Sequence, residues 1–110
     1  MKVAVAASDN EKFTEHFGKA QKFLIYGFDG EKLEFLEKRE SPKEAGEKHQ
    51  WGKSSKVIED CDTVICLQIG MKAKAGLKNL EKEVVEDEGT VEEVLERFVK
   101  HYQFMNKPLF

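Results

Sequence analysis

Apolar and polar positions follow three rhythms along the chain, and each predicts a kind of element. Lys2 to Ala7 (KVAVAA) is almost continuously apolar, the pattern of a strand covered on both faces and placed centrally in its sheet. Lys22 to Phe28 (KFLIYGF) and Lys32 to Arg39 (KLEFLEKR) flank Asp29-Gly30, a dipeptide suited to the positive φ angles of a tight hairpin turn. The second of these strands turns charged from Glu37 to Glu40, which marks a sheet edge. Ser41-Pro42-Lys43-Glu44 combines an N-cap serine, a first-turn proline and a glutamate at capping-box spacing, so a helix is expected to begin there. Gly46 and Gly52 interrupt it, each costing about 1 kcal/mol in a helix interior, and a loop is expected around Gly52 before helix resumes toward Asp60.

Thr63 to Ile69 (TVICLQI) reads as a buried strand closed by Gly70. Met71 to Leu80 follows as a crossover helix, with Ala73, Leu77 and Leu80 on one face. A short strand is expected over Glu83 to Glu86. After Gly89, Thr90 and Glu93 form a capping box for the last helix, whose apolar stripe is Val91, Val94, Leu95, Phe98, Tyr102 and Met105. A meander followed by alternating helices and strands gives an α/β fold, a mixed sheet of about five strands with helices packed against it.

Composition narrows the class. The 110 residues are expected to form a single domain over 1–110; 40% are hydrophobic and 35% charged, enough for a core under a charged surface. The 18 basic and 21 acidic residues leave a net charge of −3, so no general attraction to nucleic acid is expected. The N-terminal apolar run is too short for a secretion signal, and no stretch approaches the roughly 20 apolar residues that span a bilayer. Cys61 and Cys66 are too few for a disulfide scaffold. These features point to a cytoplasmic protein without membrane partners.

Candidate chemistry centres on Phe13-Thr14-Glu15-His16-Phe17-Gly18-Lys19-Ala20, between the first strand and the hairpin. Imidazole is a common metal ligand, and Gly18 allows close approach of the backbone. Alternatively, Phe13 and Phe17 anchor the loop while His16 makes an ordinary hydrogen bond. A second candidate is Ile69-Gly70-Met71-Lys72-Ala73-Lys74, where free N–H groups at a helix start and two lysines can receive an anion; the plain alternative is a glycine turn with exposed lysines. Of the thiols, Cys66 reads as a buried, inert residue and Cys61 as the better soft ligand. His49 could add a ligand but reads more readily as a partly exposed surface histidine, while His101 falls outside the last helix's apolar stripe. No serine sits in a G-x-S-x-G elbow and the first strand carries no interior carboxylate, so neither a hydrolase nor a nuclease is expected.

Four segments, VAVAAS, FTEHFGKAQKFLIY, DCDTVICLQIG and VEEVLERF, carry a resemblance to the dinitrogenase iron–molybdenum cofactor biosynthesis family. The resemblance implies a ribonuclease-H-like α/β fold without nuclease carboxylates. It also implies binding of iron–sulfur or iron–molybdenum clusters and their precursors. The family's histidine role carries to His16, with Phe17 and Gly18 around it. The chain departs from the family pattern at Leu67-Gln68-Ile69-Gly70, which has a single glycine. The expected cofactor-binding set is therefore His16, Phe17, Gly18, Gly70 and Lys72, with His16 and Cys61 as metal ligands. The protein is expected to be a non-enzymatic cluster carrier or chaperone working with metallocluster assembly proteins. A metal-free regulatory or scaffolding domain, binding a partner protein through its sheet edge and exposed aromatics, is the alternative.

Overall fold

The computed structural model describes residues 1–41 and 51–106. Its elements are β1 (Lys2–Ala7), β2 (Lys22–Phe28), β3 (Leu33–Glu40), α1 (Trp51–Val57), β4 (Thr63–Cys66), α2 (Met71–Asn79), β5 (Glu83–Glu86) and α3 (Val91–Met105). The five strands form one mixed sheet in the order β3-β2-β1-β4-β5. β1 pairs antiparallel with β2 and parallel with β4; β2 and β3 complete the antiparallel meander, and β4 and β5 continue the parallel half. The unbroken apolar run of β1 thus belongs to the central strand, where both directions of pairing meet.

Strand alternation sorts the core into two layers. Ala4 and Ala6 of β1 join Phe23, Ile25, Val64 and Cys66 beneath Ile58, Ala73 and Leu77, on the α1 and α2 side. Val3 and Val5 join Leu24, Phe28 and Ile65 beneath Val91, Val94, Leu95 and Phe98, on the α3 side. The Thr90 capping box starts α3, and Phe28 meets the rings of Phe98 and Tyr102 with centroids 5.5 and 5.0 Å away. On β3, the pairing shifts between Ile25↔Glu37 and Tyr26↔Phe35, leaving Leu36 as an extra residue. A bulge and a run of charges are common protections of an open sheet edge.

The structure departs from the sequence expectation at several points. The backbone is helical through Gly52 rather than looped; Ser54 and Ile58, both buried, tie this stretch to the core and outweigh the glycine penalty. β4 stops at Cys66 because Leu67 and Gln68 turn their backbone groups to the loop before β2. Leu80 follows the end of α2 and is 60% exposed, and Met105 is 65% exposed because the apolar stripe of α3 outlasts the sheet it covers. The helix expected to start at Ser41-Pro42-Lys43-Glu44, with Gly46, falls outside the described residues from Pro42 onward, as does His49. Among the described residues no helix is long and apolar enough to cross a membrane.

Candidate functional site

Residues 13–17 lie across the carboxyl ends of the three parallel strands. The Glu15 N–H donates to Ala6 O of β1 at 2.9 Å, the Leu67 N–H to Glu15 O at 2.9 Å, and the Phe17 N–H to Gln68 O at 2.8 Å. Beyond β5, the Thr14 hydroxyl donates to Asp87 O at 3.0 Å and the Thr14 N–H to Gly89 O at 3.1 Å. The loop is thereby stitched to the crevice where open α/β sheets commonly bind ligands.

Phe17 clamps the loop from below. Its ring is fully buried and meets Phe23 edge-on, centroids 5.8 Å apart, while its carbonyl accepts the Ser54 hydroxyl of α1 at 3.2 Å. Phe13 does not share the task, being 49% exposed. His16, held between the fixed peptides of Glu15 and Phe17, sits half-buried on the rim. Its Nδ1 accepts the Gly18 N–H at 3.2 Å. A Cβ at Gly18 would stand 3.7 Å from that Nδ1, an ordinary contact, so Gly18 contributes an N–H here rather than room for the backbone.

The second predicted segment comes to the same rim. Gly70 is the N-cap of α2 with an ordinary extended backbone, φ −68° and ψ 155°, and no side chain caps the helix. The first N–H groups of an uncapped helix have no intrahelical partner and carry partial positive charge. Among the described residues, its chain neighbours apart, no atom lies within 4 Å of where a Gly70 Cβ would be, so the side of the chain at Gly70 is open. Lys74 is engaged, its ammonium 2.9 Å from Glu86 Oε1; Lys72 has no ion-pair partner among the described residues. The Glu86 carboxyl is held below the usual carboxylate range chiefly by Lys74, with help from the Ile69 N–H and, least, from the nearby His16 ring. His16, Ile69, Lys74 and Glu86 are therefore neighbours, and His16, Phe17, Gly18, Gly70 and Lys72 share one end of the sheet. Thr14 and Glu86 escaped the sequence reading: only the fold brings them to this end, although Thr14 lies inside the segment singled out.

The cysteines do not join this rim. Cys61 lies at the opposite end of β4, where its N–H bonds Ile58 O at 2.9 Å; it is buried, and loss of water pushes its thiol up to about 11. Cys66 lies under the rim in the same core layer as Phe17, and burial pushes its thiol up to about 12. Among the described residues no group of three or more His, Cys, Asp or Glu side chains could hold a metal ion. His101 on α3 is exposed.

A family model described as dinitrogenase iron-molybdenum cofactor matches residues 1–101. The FeMo cofactor biosynthesis protein NifB of Chlorobaculum tepidum is 30% identical over 95 residues, covering 84% of this chain and 22% of that protein. Protein NifX of Azotobacter vinelandii is 35% identical over 79 residues, covering 66% of this chain and 48% of its own length. The chain thus spans less than half the length of either of these curated relatives. Among solved structures, the crystal structure of PH0822 superposes with a TM-score of 0.77 at 27% identity, covering 92% of this chain and 90% of that one.

Proposed function

The chain belongs to the dinitrogenase iron–molybdenum cofactor family, and on that premise we propose that it carries an anionic iron–sulfur or iron–molybdenum cluster, or a precursor of one. The cargo sits on the rim made by His16, Phe17, Gly18, Gly70 and Lys72 and is passed among metallocluster assembly proteins. One observation carries the reading: among the described residues, hydrogen-bond donors and the Lys72 ammonium are left without acceptors at the carboxyl end of the parallel strands, around a half-buried histidine on a firmly stitched loop. Such a rim attracts negative charge. Phe17 and Gly18 hold His16 in place, Lys72 and the start of α2 balance charge, and few protein groups grip the cargo. A weakly gripped cluster leaves readily, which suits delivery and needs no catalytic step. Cys61 stays outside this set because it is buried at the far end of β4.

The meander followed by two parallel strands supports the finer assignment of a ribonuclease-H-like fold, and two free thiols fit a reducing cytoplasm. A second reading, partner binding without cargo, draws on a cleft of about 980 Å³ beside α3, lined by Phe13, Tyr26, Leu33, Leu95 and Val99. Anaerobic reconstitution with iron, sulfide and molybdate, followed by metal and sulfide analysis, decides between them. Carriage predicts a cluster bound in stoichiometric amount. A protein that stays metal-free under every loading condition, while a partner co-purifies with it, contradicts carriage.

A further inference from the structure

His16 is supported by a donor rather than an acceptor. The Gly18 N–H points at its Nδ1 across 3.2 Å, so Nδ1 presents a lone pair and the neutral ring carries its proton on Nε2. A metal-bound histidine is ordinarily supported the other way. Its remote ring nitrogen donates an N–H to a carbonyl, a carboxylate or water, leaving a lone pair on the coordinating nitrogen. Glu15, the adjacent carboxylate, takes the His16 backbone N–H on its Oε1 at 2.7 Å, while the group facing the ring's Nδ1 is the Gly18 N–H. The Gly18 peptide is itself fixed: the His16 carbonyl accepts the N–H groups of Lys19 and Ala20 at 3.0 and 2.9 Å, closing a compact turn around it. Moving the ring proton to Nδ1 would set two N–H groups face to face and strip Gly18 of its acceptor.

Resting on the carrier reading, we infer that His16 holds its cargo through Nε2–H, as a hydrogen-bond donor to a sulfide or oxygen atom on the outside of an anionic metal–sulfur species, without a bond to the metal. The rest of the rim speaks the same chemistry, since the first N–H groups of α2 and the Lys72 ammonium are also donors. The recognised class is therefore an anion with exposed sulfide or oxygen. A thioanion whose metal is already saturated with sulfide meets the requirement, and a bare divalent metal ion does not.

The test uses the full chain labelled with ¹⁵N and tetrathiomolybdate as the probe. Long-range ¹H–¹⁵N spectra report which nitrogen of the His16 ring carries the proton, before and after loading. The expected result is a proton on Nε2 in both states. In parallel, His16→Gln, whose amide N–H can replace the Nε2 donor, retains tetrathiomolybdate within about threefold of the parent, whereas His16→Ala binds about tenfold more weakly. A proton found on Nδ1, loss of the Nε2 proton on loading, or a glutamine variant as weak as alanine overturns the inference; cluster binding that still depends on His16 then leaves carriage standing. If the parent binds neither tetrathiomolybdate nor a reconstituted cluster, carriage falls and the inference falls with it.

Discussion

The two ends of β4 treat polar groups in opposite ways. Before the strand, Asp60 takes the Arg39 guanidinium through both terminal nitrogens, at 2.5 and 3.0 Å, and the Lys2 ammonium at 2.7 Å. Lys82 there donates to the carbonyls of Glu59 and Cys61 at 2.7 and 2.6 Å. Every strong charge in that cluster has a partner within the protein. After the strand, the Lys72 ammonium and the first N–H groups of α2 have no acceptor among the described residues, and the second ring nitrogen of His16 has no partner there. Charges that satisfy each other hold a fold together. Donors held rigidly and left unsatisfied are available to something else, and that contrast is what supports the proposed cargo site at the carboxyl end.

The harshest way to break the contrast is to remove what makes the carboxyl end rigid. Phe17→Ala deletes a fully buried ring and is expected to cost about 3–5 kcal/mol of stability, read by urea unfolding. A loss below about 1 kcal/mol would mean that the loop is not clamped by Phe17.

A milder change sharpens the other side. Asp60→Asn leaves Arg39 and Lys2 without their shared carboxylate and, because the pairs are partly exposed, is expected to cost about 1 kcal/mol near neutral pH. The hydrogen bond from Arg39, and then that from Lys2, hold the Asp60 carboxyl well below the usual range. On acidification the unfolded chain therefore takes up this proton first, near the reference value of about 3.9. The contribution is complete above that pH and disappears as pH falls through the lower folded value. The parent should lose its advantage over Asp60→Asn below about pH 4, and a constant gap down to pH 2 would separate Asp60 from acid stability.

The smallest effect concerns the thiols. With Cys61 and Cys66 pushed up to about 11 and 12 by burial, about one thiol in a thousand or fewer is thiolate at pH 8. Alkylation without denaturant should therefore be slow and paced by unfolding. The sign for stability follows from the same burial: the folded chain keeps protons that the unfolded chain releases near 8.5, so stability declines as pH rises past about 8.5. Rapid labelling of Cys61 in the intact fold would restore it as a candidate ligand.

The strands were readable because their signals are local. The apolar run of β1, the antiparallel hairpin around Asp29-Gly30 and the Thr90–Glu93 box each act within a few residues and match the structure, though the hairpin loop spans 29–32 with a positive φ at Gly30 and not at Asp29. The end of β4 was not readable at Cys66, since Leu67 and Gln68 keep a strand-like composition and only their bonds to the His16 loop withdraw them from the sheet. The candidate site was legible in part. His16 and Gly70 are flagged by residue type and position, but their meeting at one rim depends on which strand ends the fold brings together. The pairing of Lys74 with Glu86 and the direction of the Gly18 N–H have no sequence signal, because both are set by three-dimensional placement. Cys61 attracted attention by its chemistry alone; burial at the opposite end of β4 removes it from the rim.

Cluster retention by His16→Ala beside Cys61→Ser tests the central claim most directly. Both variants are loaded anaerobically with the parent, checked for intact fold by circular dichroism, and assayed for bound metal and sulfide after desalting. The account predicts that His16→Ala loses most of the cluster, about tenfold in retention, while Cys61→Ser holds it as the parent does. Equal retention by His16→Ala and the parent, or loss confined to Cys61→Ser, would contradict a cargo site at the carboxyl end of the sheet.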